Sequence, residues 1–124
     1  MPVLPPAEKT SLLGKEANIW FVSVRPDGRP HMTPIWFVYQ DDKLFIGIDP
    51  DSVKSRNLKE NPHVVMALED GSHPLICEGT ARIISSPLPK ILLSAFKAKY
   101  DWDLTTEAQY DQVVEITPQK WLSW

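Results

Sequence analysis

A chain of 124 residues with 43% hydrophobic and 23% charged residues has the size and balance of one globular domain with a real core, which excludes a disordered chain and a fibrous repeat. Its formal charge of -3, from 13 basic and 16 acidic residues, gives no general electrostatic reason to bind nucleic acid. No stretch approaches the roughly 20 apolar residues of a membrane span, and residues 1–10 carry three prolines and a Glu in place of a basic segment followed by an apolar one.

Residues 8–17 read as a short first helix, weakened by Gly14 and expected to act as a lid. From Asn18 the β-branched and aromatic run 19–24 predicts a strand, halted by a turn at 25–30 that contains Gly28. Residues 32–39 and 44–48 predict two further antiparallel strands around a turn at 40–43. Pro34 has no amide to donate, so it belongs at an edge, a bulge or a point where the ladder opens. Ser52 is a good N-cap for a short helix running through Leu58 and Lys59, and Asn61-Pro62 stops it. Residues 63–68 return to strand, 69–72 are a loop, and 75–84 form a long strand interrupted by Gly79. Ser86-Pro87 opens an amphipathic helix with Leu88, Ile91, Leu92, Ala95 and Phe96 on its apolar face. Residues 101–111 are polar and have no clear assignment, and 113–116 form a last strand before Thr117-Pro118 and a tail with Trp121 and Trp124. Six strands with two or three short helices and no regular crossover helices predict a mainly β, small antiparallel barrel, a single domain over residues 1–124.

Chemistry concentrates at two places. If Ser52 caps its helix, the free amides of the first turn, the hydroxyls of Ser52 and Ser55 and the cations Lys54 and Arg56 gather at one positive end that suits a phosphate. The same segment also reads as a capped surface turn with solvated cations. At Met32, Thr33, Pro34, Ile35 and Trp36 a proline opens a strand beside aromatic rings, where a flat heteroaromatic ligand could pair with backbone groups; an edge strand of the core has the same pattern. The spacing His63-x9-His73-x3-Cys77 matches no compact zinc pattern, so no metal is expected. No Gly-x-Ser-x-Gly elbow or P-loop supports hydrolytic chemistry, and Cys77, inside a predicted strand, reads as buried and inert. A single cysteine excludes an intrachain disulfide and fits a reducing compartment, so a cytoplasmic protein is expected.

Residues 24–39, the pattern Ser52-x-Lys54-x-Arg56-Asn57-Leu58 with Asn61-Pro62, and residues 78–81 resemble the flavin-binding split β-barrels, the pyridoxamine-phosphate-oxidase-like family. The resemblance covers residues 16–85 well and the last third loosely. It implies a six-stranded antiparallel split β-barrel and a homodimer with two cofactors in clefts between subunits, FMN or the deazaflavin F420. By position, Lys54 is the main phosphate ligand, with Ser52, Ser55 and Arg56 assisting, and Met32, Thr33, Pro34, Ile35 and Trp36 flank the ring and its ribityl chain. Asn57 is a structural member of the motif, and the partner subunit adds an aromatic, Trp121 or Trp124. Two departures argue against vitamin-B6 oxidation: Val53-Lys54 stands where the oxidases proper have an Arg-Lys pair, and their C-terminal substrate segment has no counterpart. The implied function is an FMN-dependent oxidoreductase with a small-molecule redox substrate or electron donor. The alternatives are an F420-dependent reductase, a non-catalytic flavin carrier and a cofactor-free barrel.

Overall fold

The edge proline, the alternating runs and the Gly-containing turns do build a mainly β molecule in the computed structural model, which describes residues 2–85, 87–106, 110 and 112–124. After a 3-10 turn at Ala7–Lys9 come α1 (Thr10–Lys15), β1 (Asn18–Val24), β2 (Pro30–Trp36), β3 (Val38–Gln40), β4 (Lys43–Ile48) and α2 (Val53–Glu60). β5 (His63–Leu68), β6 (Leu75–Ser85), α3 (Lys90–Tyr100), a 3-10 turn at Leu104–Thr106 and β7 (Gln112–Ser123) complete it. All the ladders are antiparallel, and the strand order is β2-β1-β5-β6-β7-β4-β3.

That order explains the shape. β2 and β3 are the two edges of the sheet, yet only Phe37 separates them in the chain. In a flat sheet, strands about 4.8 Å apart would hold the edges about 29 Å from each other. Trp36 and Val38, two residues apart, can be separated by no more than about 7.6 Å. The sheet must therefore roll until its edges meet at Phe37, and since no ladder joins β2 to β3 among the described residues, it is a split barrel and not a closed one. The same crossing corrects the expected strand count from six to seven: residues 32–39 are not one strand, because the chain changes edge at Phe37, whose side chain is fully buried.

β4 is buried on both faces, which is why residues 44–48 are apolar without alternation. Leu44, Ile46 and Ile48 face the barrel interior with Phe21, Phe37 and Met66, whereas Phe45 faces an outer cluster with Leu92 and Phe96 of α3. Leu13 of α1 is fully buried in the inner cluster, so this helix plugs the barrel and is no lid.

Three boundaries differ from expectation for local reasons. α3 begins at Lys90, after Pro89, because a residue preceding proline is pushed out of the helical region and Leu88 therefore stays outside the helix; Ser86 lies outside the described residues. β7 runs on through Pro118 to Ser123 because Pro118 sits at a bulge: Glu78 pairs with Lys120 and Gly79 with Pro118, leaving Gln119 as the extra residue. Residues 101–106 and 110 pack as part of the outer cluster through Trp102, Leu104 and Tyr110.

Gly79 makes the bulge tight, since a Cβ there would lie 2.7 Å from the Thr117 carbonyl oxygen and 3.0 Å from the Ile116 side chain. Backbone cannot yield as a side-chain tip can. Gly79→Ala is expected to destabilise the fold by about 1–3 kcal/mol, measured by denaturant unfolding. An unchanged midpoint would mean that the bulge relaxes freely.

Candidate functional site

α2 begins where the sequence places it. The Ser52 hydroxyl accepts the Ser55 amide at 3.2 Å, Ser52 N–H donates to the Asp49 carbonyl at 3.0 Å, and the Asp49 carboxylate accepts the Asp51 amide at 2.9 Å. Helix geometry leaves the amides of Val53 and Lys54 without intrahelical partners at this positive end. Asn57 anchors the helix to the barrel: its side-chain amide donates to the Ser23 hydroxyl of β1 at 3.0 Å, and both residues are buried. Asn57 is thus structural in this chain.

A cleft of about 560 Å³ joins this helix end to the edge strand. Such a volume lies within the roughly 300–1,000 Å³ of small-molecule sites. Pro34, Ile35 and Trp36 of β2, Ser52 and Lys54 of α2, Gly47, Ile48 and Asp49 from the end of β4, and Trp102 and Tyr110 line it. Five of the residues singled out from sequence therefore meet in one cleft. β2 is an edge strand, so Pro34 sits in a ladder with β1 alone, opposite Trp20.

The other expected residues lie around or away from it. Thr33 is partly buried on the inward face of β2, with an unpartnered hydroxyl, and Met32 is 58% exposed on the outward face. Ser55 is fully buried behind the helix end, its hydroxyl also unpartnered. Arg56 is exposed, donates to the Asp51 carbonyl at 3.0 Å, and lines a separate concavity with Arg25, Arg29 and Lys59. Trp121 pairs with Cys77 in the β6–β7 ladder, donates its indole N–H to the Val3 carbonyl at 3.1 Å and stands edge-on to Tyr39. Trp124 is 72% exposed at the end of β7.

The electrostatics suit an anion. Burial lowers the Lys54 amine below its ordinary range, with the Asp49 carboxylate opposing, and among the described residues the amine has no ion-pair partner. Burial, then the charges of Arg25 and Lys54, hold the His31 imidazole below its usual value. Arg25 Nε, His31 Nδ1, Thr33 Oγ1 and Ser55 Oγ are all buried without hydrogen-bond partners, which is costly unless something else supplies them. The Cys77 thiol is pushed up to about 12 by burial, stays protonated and is inert.

Sequence reasoning assigned no role to Trp102, Tyr110, Gly47, Asp49, Arg25 or His31. Trp102 stands edge-on to Trp36 at 5.6 Å, to Tyr110 at 5.3 Å and to Phe96 at 5.7 Å, making an aromatic wall. A Cβ on Gly47 would lie 3.1 Å from the Trp102 ring, so a glycine inside an apolar strand was the available signal of this close approach.

Behind Trp36, the Lys99 amine donates to the carbonyls of Leu13 and Phe37, each at 3.0 Å, and lies 3.7 Å above the Phe37 ring. Burial lowers it to about 8 from an ordinary 10.5, against the pull of Glu16. The folded state thus disfavours the cation, so the penalty is complete below pH 8 and is relieved as pH rises from about 8 to 10.5. The thermal midpoint is expected to rise across the lower part of that window in the native chain and to rise less in Lys99→Met. Parallel curves would show that Lys99 does not carry the dependence.

The chain matches the family model of pyridoxamine 5'-phosphate oxidase over residues 6–124. No curated protein sequence matches it. Among solved structures, an F420 reductase is 27% identical with a TM-score of 0.77, the match covering 96% of this chain and 98% of that one. A conserved hypothetical protein from Mycobacterium tuberculosis is 24% identical with a TM-score of 0.77, over 99% of this chain and 86% of the other. HutZ, the heme storage protein from Vibrio cholerae, is 17% identical with a TM-score of 0.81, over 98% of this chain and 95% of the other. The last two are likenesses of fold alone.

Proposed function

This chain belongs to the pyridoxamine 5'-phosphate oxidase family, and from that premise we propose that it is an FMN-binding oxidoreductase whose cofactor lies in a cleft completed by a second copy of the chain. The observation that carries the reading is the single cleft in which a half-buried lysine at a helix N-terminus faces an edge strand and an aromatic wall. Phosphate fits the first part. Lys54 supplies the charge, and the first-turn amides of α2 and Ser52 supply fixed donors. A tricyclic ring fits the second, where the open edge of β2 at Pro34, Ile35 and Trp36 offers backbone donors and acceptors and Trp102 and Tyr110 exclude water. Met32 lies further along the same edge, and Arg56 adds positive potential from the exposed face of α2. When bound, the ring supplies hydride-transfer chemistry that no side chain here needs to perform, and the chain binds, orients and desolvates it.

The outward face of the sheet supports the homodimer. Met32 and Trp36, 58% and 43% exposed, lie on one apolar face with Pro34, Trp20 and Val22 across the β1–β2 ladder and Val65 and Ala67 on β5. A second copy of this face covers it best, and sedimentation checks this: a monomer with cofactor bound removes the dimer. Of the two terminal tryptophans, Trp121 is engaged within its own chain, so the exposed Trp124 is the one we assign to the partner's cleft. The same reading takes the cytoplasm as its compartment, on the single buried thiol.

A second reading, an F420-dependent reductase, is favoured by the likeness to the F420 reductase and uses the same residues. Absorption of the purified protein, followed by parallel titration with FMN and F420, tests both. Saturable FMN binding is expected; saturation with F420 alone selects the second reading, and binding of neither removes the proposed function. Bound flavin that is reversibly reduced, but turned over by no nicotinamide or quinone acceptor, would make the chain a carrier.

A further inference from the structure

The place where the barrel splits is also the place where the cleft wall begins. At Phe37 the chain leaves one edge of the sheet for the other, so its N–H and C=O fall between two strands and belong to neither. Backbone groups at such a buried crossing need partners from elsewhere. The last turn of α3 provides them. The Phe37 N–H donates to the Tyr100 hydroxyl at 3.0 Å, and the Phe37 carbonyl accepts from the Lys99 amine at 3.0 Å. The Tyr100 hydroxyl proton has the Ala17 carbonyl at 2.7 Å and the Phe37 carbonyl at 2.9 Å as acceptors, so α3 is tied to both ends of the segment between α1 and β3.

The Tyr100 ring lies flat against Trp36, with centroids 4.6 Å apart and planes 8° from parallel. Trp36 is 43% exposed, borders the cleft and has Trp102 edge-on at 5.6 Å. An indole at an open edge strand has no ladder on its outer side to fix its angle, and a stacked ring whose own hydroxyl is pinned to the neighbouring backbone supplies one. We propose that Tyr100, braced by Lys99, is a positioning residue that sets the Trp36 wall of the cleft and couples its shape to closure of the split. The proposal rests on the cofactor reading for its effect on binding, and on the contacts above for its geometry.

Tyr100→Phe keeps the ring and removes the hydroxyl. In the full-length chain it is expected to weaken binding of whichever of FMN or F420 saturates the native protein by about three- to tenfold, the range of one hydrogen bond. In a Trp36→Leu background the same substitution should change affinity by less than about twofold, because the group through which Tyr100 acts is gone. Unchanged affinity in Tyr100→Phe, or an equal loss with and without Trp36, overturns the proposal. If neither cofactor binds the native chain, the cofactor reading falls and the geometry is still tested in the free protein. The near-ultraviolet circular dichroism contributed by Trp36, taken as native minus Trp36→Leu, should then change on Tyr100→Phe, and an unaltered Trp36 signal overturns the positioning role.

Discussion

Lys54→Ala is expected to cost about 1.5–3 kcal/mol of FMN affinity, roughly ten- to a hundredfold, the worth of a charge-assisted hydrogen bond. The size follows from where the amine sits. It is partly withdrawn from water at the N-terminal end of α2, and burial already lowers its pKa, so the free protein carries part of the cost of desolvating it. A phosphate dianion beside it restores the favourable partner and holds it protonated. Arg56→Ala should cost less, because Arg56 is exposed and already donates to the Asp51 carbonyl. Titration followed by flavin fluorescence measures both. Equal affinity in native protein and Lys54→Ala would remove Lys54 as the phosphate ligand and return α2 to a capped surface helix.

Phe37→Ala is the substitution expected to hurt folding most, by about 3–5 kcal/mol, the usual cost of emptying a fully buried aromatic site. Phe37 is buried in the inner core at the one residue joining the two sheet edges, and its ring also faces the Lys99 amine at 3.7 Å. Against a typical total of about 5–15 kcal/mol, that loss leaves a domain at the low end with only about 0–2 kcal/mol, up to half unfolded at room temperature. The denaturant midpoint should fall steeply with an unchanged slope. A loss below about 1 kcal/mol would mean that the crossing collapses around the cavity and that the split does not depend on this ring.

The two substitutions differ in how visible they were beforehand. Lys54 was legible because Ser52, Asn61 and Pro62 act within one or two turns of α2, and a capped helix places its cations wherever the rest of the chain goes. The hairpin at Gly28, with φ of 91°, and the confinement of Pro34 to an edge are equally local. Phe37 gave no such signal. In the sequence it is one more aromatic in a β-type run, and its role as the crossing depends on β3 finding β4 while β2 finds β1. Pro118 misled for the same reason: a proline ordinarily ends a strand, and only the pairing with Gly79, 39 positions away in sequence, turns it into a bulge.

The meeting of the Lys54 and Trp36 motifs in one cleft was implied only by the family resemblance, whereas sequence alone determined the antiparallel β class, the helix capped by Ser52 and the edge proline. Each rests on backbone chemistry that neighbours within a few residues decide. Tertiary structure alone decided the seventh strand, the split at Phe37, the length of β7, and the aromatic wall that Trp102 and Tyr110 build against Gly47 and Trp36. It also set the clasp of Lys99 and Tyr100 on a backbone more than 60 residues earlier. Those features depend on which distant surfaces come within contact once the sheet has rolled, and short-range packing forces carry no mark of that in the order of residues along the chain.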